Sequence, residues 1–152
     1  MKTLARERDK REVLVRLRAL RPDSARRWGR MSPHQAVCHL CDSFCMSRGT
    51  KLVSDASGPF QRTVMKWVAL YLPVPWPPGI PTRPELDQAV GGTKPSGFAA
   101  DVARLEELVE LVTTEPQSFD WHPHPYFGSM SHAAWLRWGY LHMDHHLRQF
   151  GA

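Results

Sequence analysis

The segment YLHMDHHLRQFG near the end of the chain carries His142 and His146 four residues apart. At about 100° per residue, that spacing sets two imidazoles on one helix face, one turn apart, where both reach the same point. Trp135, Trp138 and Gln149 fall on the same stripe. An HxxxH pair on a helix is a recurring spacing of metal ligands. Alone it is a weak signal, because two histidines among apolar residues are equally explained by hydrogen bonds within a core. A third imidazole comes from SPHQAVCHLCDSF, where His39 shares a helix face with Gln35, Asp42 and Met46. If His39 faces the pair, three neutral imidazoles on a divalent ion leave a position for water, as in catalytic rather than closed structural zinc sites. The alternative is a core histidine with one partner.

Other residues rank below these three. His145 lies about 60° from His142 and about 100° from His146 on the helical wheel, so it is a fourth ligand or a neighbouring group only if one of them turns away. Asp42 stands one turn beyond His39. It is placed to orient a histidine N–H, as carboxylates do around metals, and is equally an ordinary surface acid. Asp42 and His145 are the only candidates for catalytic proton transfer beside the triad. Cys38, Cys41 and Cys45 repeat on one helix face. A thiolate site or a CxxC redox pair is the sharper reading, but that redox motif opens a helix after a strand and no strand precedes this one. They read as small core residues, with Cys41 the one placed to approach His39. His34 and His132 sit in first helical turns and are expected exposed, and His122 and His124 belong to a proline-rich loop. No Gly-rich phosphate loop, GxSxG elbow or HExxH motif is present.

The elements that must position these residues are helical. Residues 4–20 place Leu4, Val13, Val15, Leu17 and Leu20 among charges, and Arg21-Pro22-Asp23 breaks the pattern. Ser32-Pro33 opens a second helix, expected to run to about Ser47, with serine as cap and proline at the first position. Residues 59–72 form a third candidate, whose apolar face holds Val64, Trp67, Val68 and Tyr71. Pro73, Pro75, Pro77, Pro78, Pro81 and Pro84 then exclude a regular helix or central strand and predict a long crossing loop. A helix over 98–113 follows, with Leu105, Leu108, Val109 and Val112 on one side. Ser131 caps the last helix, expected over 132–149. No alternating strand is found. The chain reads as one all-α domain, residues 1–152, of four main helices and an accessory one, which suits a helical bundle.

MSPHQAVCHLCDS, HPYFGSMSHAAW and YLHMDHHLRQFG together resemble the DinB-like superfamily, and within it a branch described as a domain of unknown function. The resemblance spans Trp28 to Gly151, and its last motif is the most specific. It implies a four-helix bundle in up-down-down-up order. It also implies a metal triad of one histidine on the second helix and an HxxxH on the last, here His39, His142 and His146. The implied cofactor is a divalent ion, Zn, Ni or Fe. His124, with Tyr126 and Phe127, matches the HPYFG pattern and is a candidate for the pocket rim, with Trp138 and Gln149 as further pocket residues. Other members of the superfamily are transferases or isomerases that use low-molecular-weight thiols. The expected function is therefore a metal-dependent hydrolase or a thiol-dependent transferase. The alternatives are a non-catalytic metal-binding or stress-response protein, dimeric through a helix face, and an adaptor for nucleic acid or an acidic partner.

Composition bounds these readings. The chain has 152 residues, 42% hydrophobic and 23% charged, enough for one sizeable core and unlike a disordered or collagenous sequence. No apolar run reaches the roughly 18 residues of a membrane span. The charged N-terminus lacks the apolar centre of a signal peptide, and three cysteines fit a reducing compartment, so a cytoplasmic protein is expected. The net charge is +5, yet residues 1–30 hold 11 basic and 4 acidic residues, so that the rest of the chain is slightly acidic. Without a DNA- or RNA-reading motif, this basic end reads as a solvated helix face rather than a nucleic-acid surface.

Overall fold

A computed structural model describes residues 1–152 and contains five α-helices and no strand. Helix α1 spans Glu7–Ala19, α2 Pro33–Ser47, α3 Lys66–Tyr71, α4 Phe98–Thr113 and α5 His132–Gln149. A π-helical turn, Gln61–Met65, leads directly into α3, and a single 3-10 turn, Pro84–Leu86, interrupts the proline-rich crossing.

Local chemistry explains the helix ends. The Ser32 hydroxyl accepts the Gln35 N–H at 3.1 Å, while the Gln35 side-chain oxygen accepts the Ser32 N–H at 2.9 Å. This reciprocal box satisfies two backbone donors that a helix start leaves free, and Pro33 has no N–H to satisfy. Ser131 caps α5 by accepting the Ala134 N–H at 3.2 Å. Helix α1 begins later than its apolar pattern predicts. Leu4 lies outside it, yet its N–H donates to the Leu136 carbonyl and its side chain is 1% exposed. Leu4 is apolar because it packs on α5.

Helices α1, α2, α4 and α5 close a ring in which α2 packs on α4 and α5, and α1 packs on α4 and α5. Val13, Leu17, Val37, Leu40, Phe44, Leu105, Val109, Tyr140, Met143 and Leu147 fill the space between them. Gly139 marks the closest approach. A Cβ there would stand 2.8 Å from a Leu4 methyl carbon and 3.2 Å from the Phe44 ring. A second, smaller cluster joins Leu70 of α3 and Leu86 of the crossing to Met46, Phe127, Trp135 and Trp138. The two clusters bury α5 on most of its sides, which is why it can carry inward-facing polar groups that only protein atoms can satisfy.

The third predicted helix differs beyond its π-helical start. Val64, Trp67, Val68 and Tyr71, expected to be its packing face, are turned to solvent, and the residues that pack are Met65, Ala69 and Leu70. No helix is long and apolar enough to cross a membrane.

Candidate metal centre

Helices α2 and α5 bring His39, His142 and His146 together. One ring nitrogen from each lies within 4.8 Å of the others, and all three side chains are buried. The rings of His39 and His142 are 5.0 Å apart and nearly perpendicular, and His146 stands 4.8 Å from His39 and 5.0 Å from His142. His39 Nε2 and His142 Nε2 approach to 3.0 Å.

The hydrogen bonds fix which nitrogens face the centre. His39 Nδ1 is 2.8 Å from the Leu86 carbonyl, which can only accept, so Nδ1 carries the proton and Nε2 presents a lone pair. His146 follows from a longer chain of partners. The Trp28 carbonyl takes a hydrogen bond from Gln149 Nε2 at 2.9 Å, so the Gln149 nitrogen must point to Trp28. Gln149 Oε1 then faces His146 Nδ1 at 3.0 Å, and that nitrogen in turn carries the proton. His146 Nε2 is left with a lone pair and no protein donor. His142 Nε2 can donate to only one of these two lone pairs, and His142 Nδ1 is buried without a partner. A converging set of lone pairs with too few protons fits a cation, and tying the outer nitrogen to a carbonyl or amide oxygen is how metal-bound imidazoles are oriented.

Electrostatics acts the same way. Burial holds the pKa of all three imidazoles below the ordinary value, and for His142 and His146 the neighbouring imidazoles lower it further. All three are therefore neutral near pH 7, the state in which an imidazole can bind a metal.

The surrounding candidates take other roles. His145 is outside the convergent set. Its ring lies against Trp28 and Trp76, with centroids at 6.0 and 6.2 Å, and its Nδ1 is buried without a partner. Asp42 does not reach a histidine. Its oxygens accept from Gln88 Nε2 at 3.0 Å, the Thr93 N–H at 2.8 Å and the Thr93 hydroxyl at 2.6 Å, and Lys51 lies 3.2 Å away. It pins the segment just beyond Leu86, and the Leu86 carbonyl does the orienting expected of the carboxylate. Gln149 is likewise an orienting group more than a pocket wall. Trp138 packs against the centre with its ring tilted 48° to that of His142, the centroids 4.6 Å apart. His124 is 6% exposed, stacks on Phe127, and accepts the Tyr126 and Phe127 N–H groups on Nδ1. It organises its own turn, with the centre on the far side of Trp138.

Sequence reasoning missed Leu86 and Trp76. A backbone carbonyl has no side-chain signature. Trp76 is half-buried in an otherwise exposed run of the crossing, and its indole N–H donates to the Ala69 carbonyl at 2.8 Å. It lies 6.0 Å from the His142 ring and so covers the centre.

A second trio has ligand-type atoms close together: His34, Cys38 and Asp101. Here the groups satisfy one another. Asp101 Oδ2 lies 2.7 Å from His34 Nε2 and 3.6 Å from Cys38 Sγ, and it also accepts the Ser96 N–H. His34, expected to be exposed, is half-buried by this pair. Burial and then the Asp101 charge push the Cys38 thiol up to about 12, so it remains protonated. The trio ties α2 to the start of α4, and the cysteines line that contact.

The chain matches, over residues 4–152, the family described as "Protein of unknown function (DUF1569)". Comparison with curated proteins and with solved structures finds no match.

Proposed function

We propose, for a chain that belongs to the DUF1569 family, that His39, His142 and His146 hold one divalent metal ion in a DinB-like helical bundle of up-down-down-up order, and that the ion is used for catalysis on a small thiol. The observation that carries this reading is the convergence of three buried imidazoles within 4.8 Å while Leu86 and Gln149 hold the Nδ1 protons of His39 and His146. A zinc ion there would act as a Lewis acid that brings the pKa of a bound thiol or water close to neutrality.

The residues of the chain define the rest of the site. Three imidazoles fill three positions and leave at least one for a ligand. Trp76 and Trp138 wall the centre with aromatic surface, and Trp28 lies against the neighbouring His145. The only nearby carboxylate candidate, Asp42, is committed to Gln88, Thr93 and Lys51. Hydrolysis needs a proton taken from water, and His145, its ring centroid 5.1 Å from that of His146 and its Nδ1 unpartnered, is the neighbouring group able to accept one. A thiol-dependent transfer needs only that the thiol lose its proton on binding the ion. The preference for a thiol comes from the DinB-like resemblance, which implies thiol-dependent chemistry, and hydrolysis is the alternative.

Untagged protein analysed for metal should contain about one equivalent of zinc, nickel or iron per chain. His142→Ala and His146→Ala should each abolish stoichiometric binding while the helical circular dichroism stays, and His145→Ala should retain the metal. Wild-type protein that takes up no zinc from a buffered solution, or binding that survives loss of both histidines, would overturn the reading.

A further inference from the structure

The helical stretch from Pro59 to Tyr71 is apolar on both sides. On the inner side Leu70 is fully buried, and Met65 and Ala69 pack beside it. On the outer side Phe60, Val64, Trp67, Val68 and Tyr71 are 59%, 52%, 58%, 39% and 41% exposed. Gln61, Arg62, Thr63 and Lys66 interrupt the apolar surface but leave the outer stripe intact, and an apolar helix face is normally covered. Isolated surface hydrophobes are ordinary, but five in one stripe on thirteen residues are not. With ordinary side-chain areas these five leave roughly 500 Å² of contiguous apolar surface on each chain, the size of patch that marks an interaction site.

We propose that this stripe is a two-fold interface between two copies of the chain. Charge selects this occupant. The stripe itself carries none, so it meets its own image without like-charge repulsion. The two cations of the same stretch are held by their own chain. Arg62 donates to the Ser57 hydroxyl at 2.8 Å and lies 3.5 Å from Asp55, and Lys66 donates to the Ser129 carbonyl at 3.3 Å. They are not arrayed for lipid phosphates or an acidic partner, as they would be on a helix that lies on a membrane. Area agrees, since two stripes face to face remove roughly 1,000 Å², the lower bound of a specific interface. The spacing of Phe60, Val64, Trp67 and Tyr71, at intervals of four, three and four, is that of a helix-pairing seam.

The interface has a consequence for the centre. Helix α3 runs straight into the loop that bears Trp76, and the Trp76 indole is tied back to Ala69 of that helix. A partner seated on α3 braces the base of the loop that covers His142 and His145. The pairing itself needs no metal.

Sedimentation of the full chain across the micromolar range, with and without zinc, tests the proposal. The mass should rise with concentration from 17.4 kDa towards twice that value. Trp67→Glu and, separately, Val64→Arg should stay monomeric throughout with unchanged circular dichroism. Val15→Glu, at a lone exposed site on α1, should dimerise like the wild type. A wild type that is monomeric at every concentration overturns the proposal, as does a dimer that persists in both stripe variants. Monomeric protein that binds phosphatidylserine vesicles and loses that binding in Trp67→Glu would assign the stripe to a membrane surface and overturn it equally.

Discussion

The chemistry of the centre rests on where the protons of three imidazoles sit. Leu86 and Gln149 fix the tautomers of His39 and His146, and burial keeps every nearby imidazole neutral. Gln149→Leu keeps most of the side-chain volume and removes the acceptor for His146 Nδ1. It should weaken zinc binding about 10–100-fold, measured by competition with a chromophoric chelator, with the helices intact. An unchanged affinity would show that His146 needs no orienting partner. The same burial makes stability depend on pH. His124 is pushed down to about 3 by burial, and His142 and His146 lie well below 6.5. These groups stay neutral in the folded chain, whereas the unfolded chain takes up protons below about pH 6.5. Stability of the metal-free protein should therefore be full above about pH 6.5 and fall as the pH drops below it. Each such histidine contributes a slope of about 1.4 kcal/mol per pH unit, and that of His124 persists to about pH 3. Urea midpoints that do not change between about pH 7 and 5 would contradict the neutral assignment.

At the level of the elements, the start of α2 and the crossing of α5 matter most to the site. Ser32→Ala removes one half of a reciprocal capping box and should cost about 1 kcal/mol in denaturant unfolding. It should also loosen the metal, because His39 rides two turns further along the same helix. Gly139 lets α5 approach Leu4 and Phe44, and no room is left for a branched side chain. Gly139→Val should destabilise the fold by about 1–3 kcal/mol, read as a lower urea midpoint. A neutral result would mean that Leu4 moves aside freely.

For the molecule as a whole, the uneven charge becomes a set of bridges. Arg18 pairs with Glu106 through two hydrogen bonds, Lys10 with Glu110 at 2.9 Å, and Arg16 with Asp144 at 2.7 Å. Part of the basic end thus joins α1 to α4 and α5. Solvent screens pairs at the surface, so these bridges align the helices more than they hold them. The remaining exposed arginines should give only weak binding to random duplex DNA, lost by physiological salt in a fluorescence-anisotropy titration. Binding that persists there would restore a nucleic-acid role to the first 30 residues.

The sequence by itself determined the helices and the residue types of the centre. Ser32, Pro33 and Ser131 place two helix starts to the residue, because a cap bonds to groups two or three positions away and closes within the segment that encodes it. The HxxxH spacing likewise puts His142 and His146 on one face whatever surrounds them. Only the tertiary structure decided what completes those groups. The acceptor for His39 is a backbone carbonyl 47 residues away, and Asp42, one turn from His39, turns instead to the segment that supplies it. Trp76 covers the centre from a stretch whose prolines forbid regular structure but specify no destination. The stretch 59–72 shows the same division most plainly. Its periodicity predicts an apolar face, and with apolar residues on both sides, the choice of Leu70 rather than Trp67 to face α5 is a property of the assembled core. Local hydrogen bonds and helical period act over a few residues and are written in order along the chain, while burial depends on which distant surfaces meet.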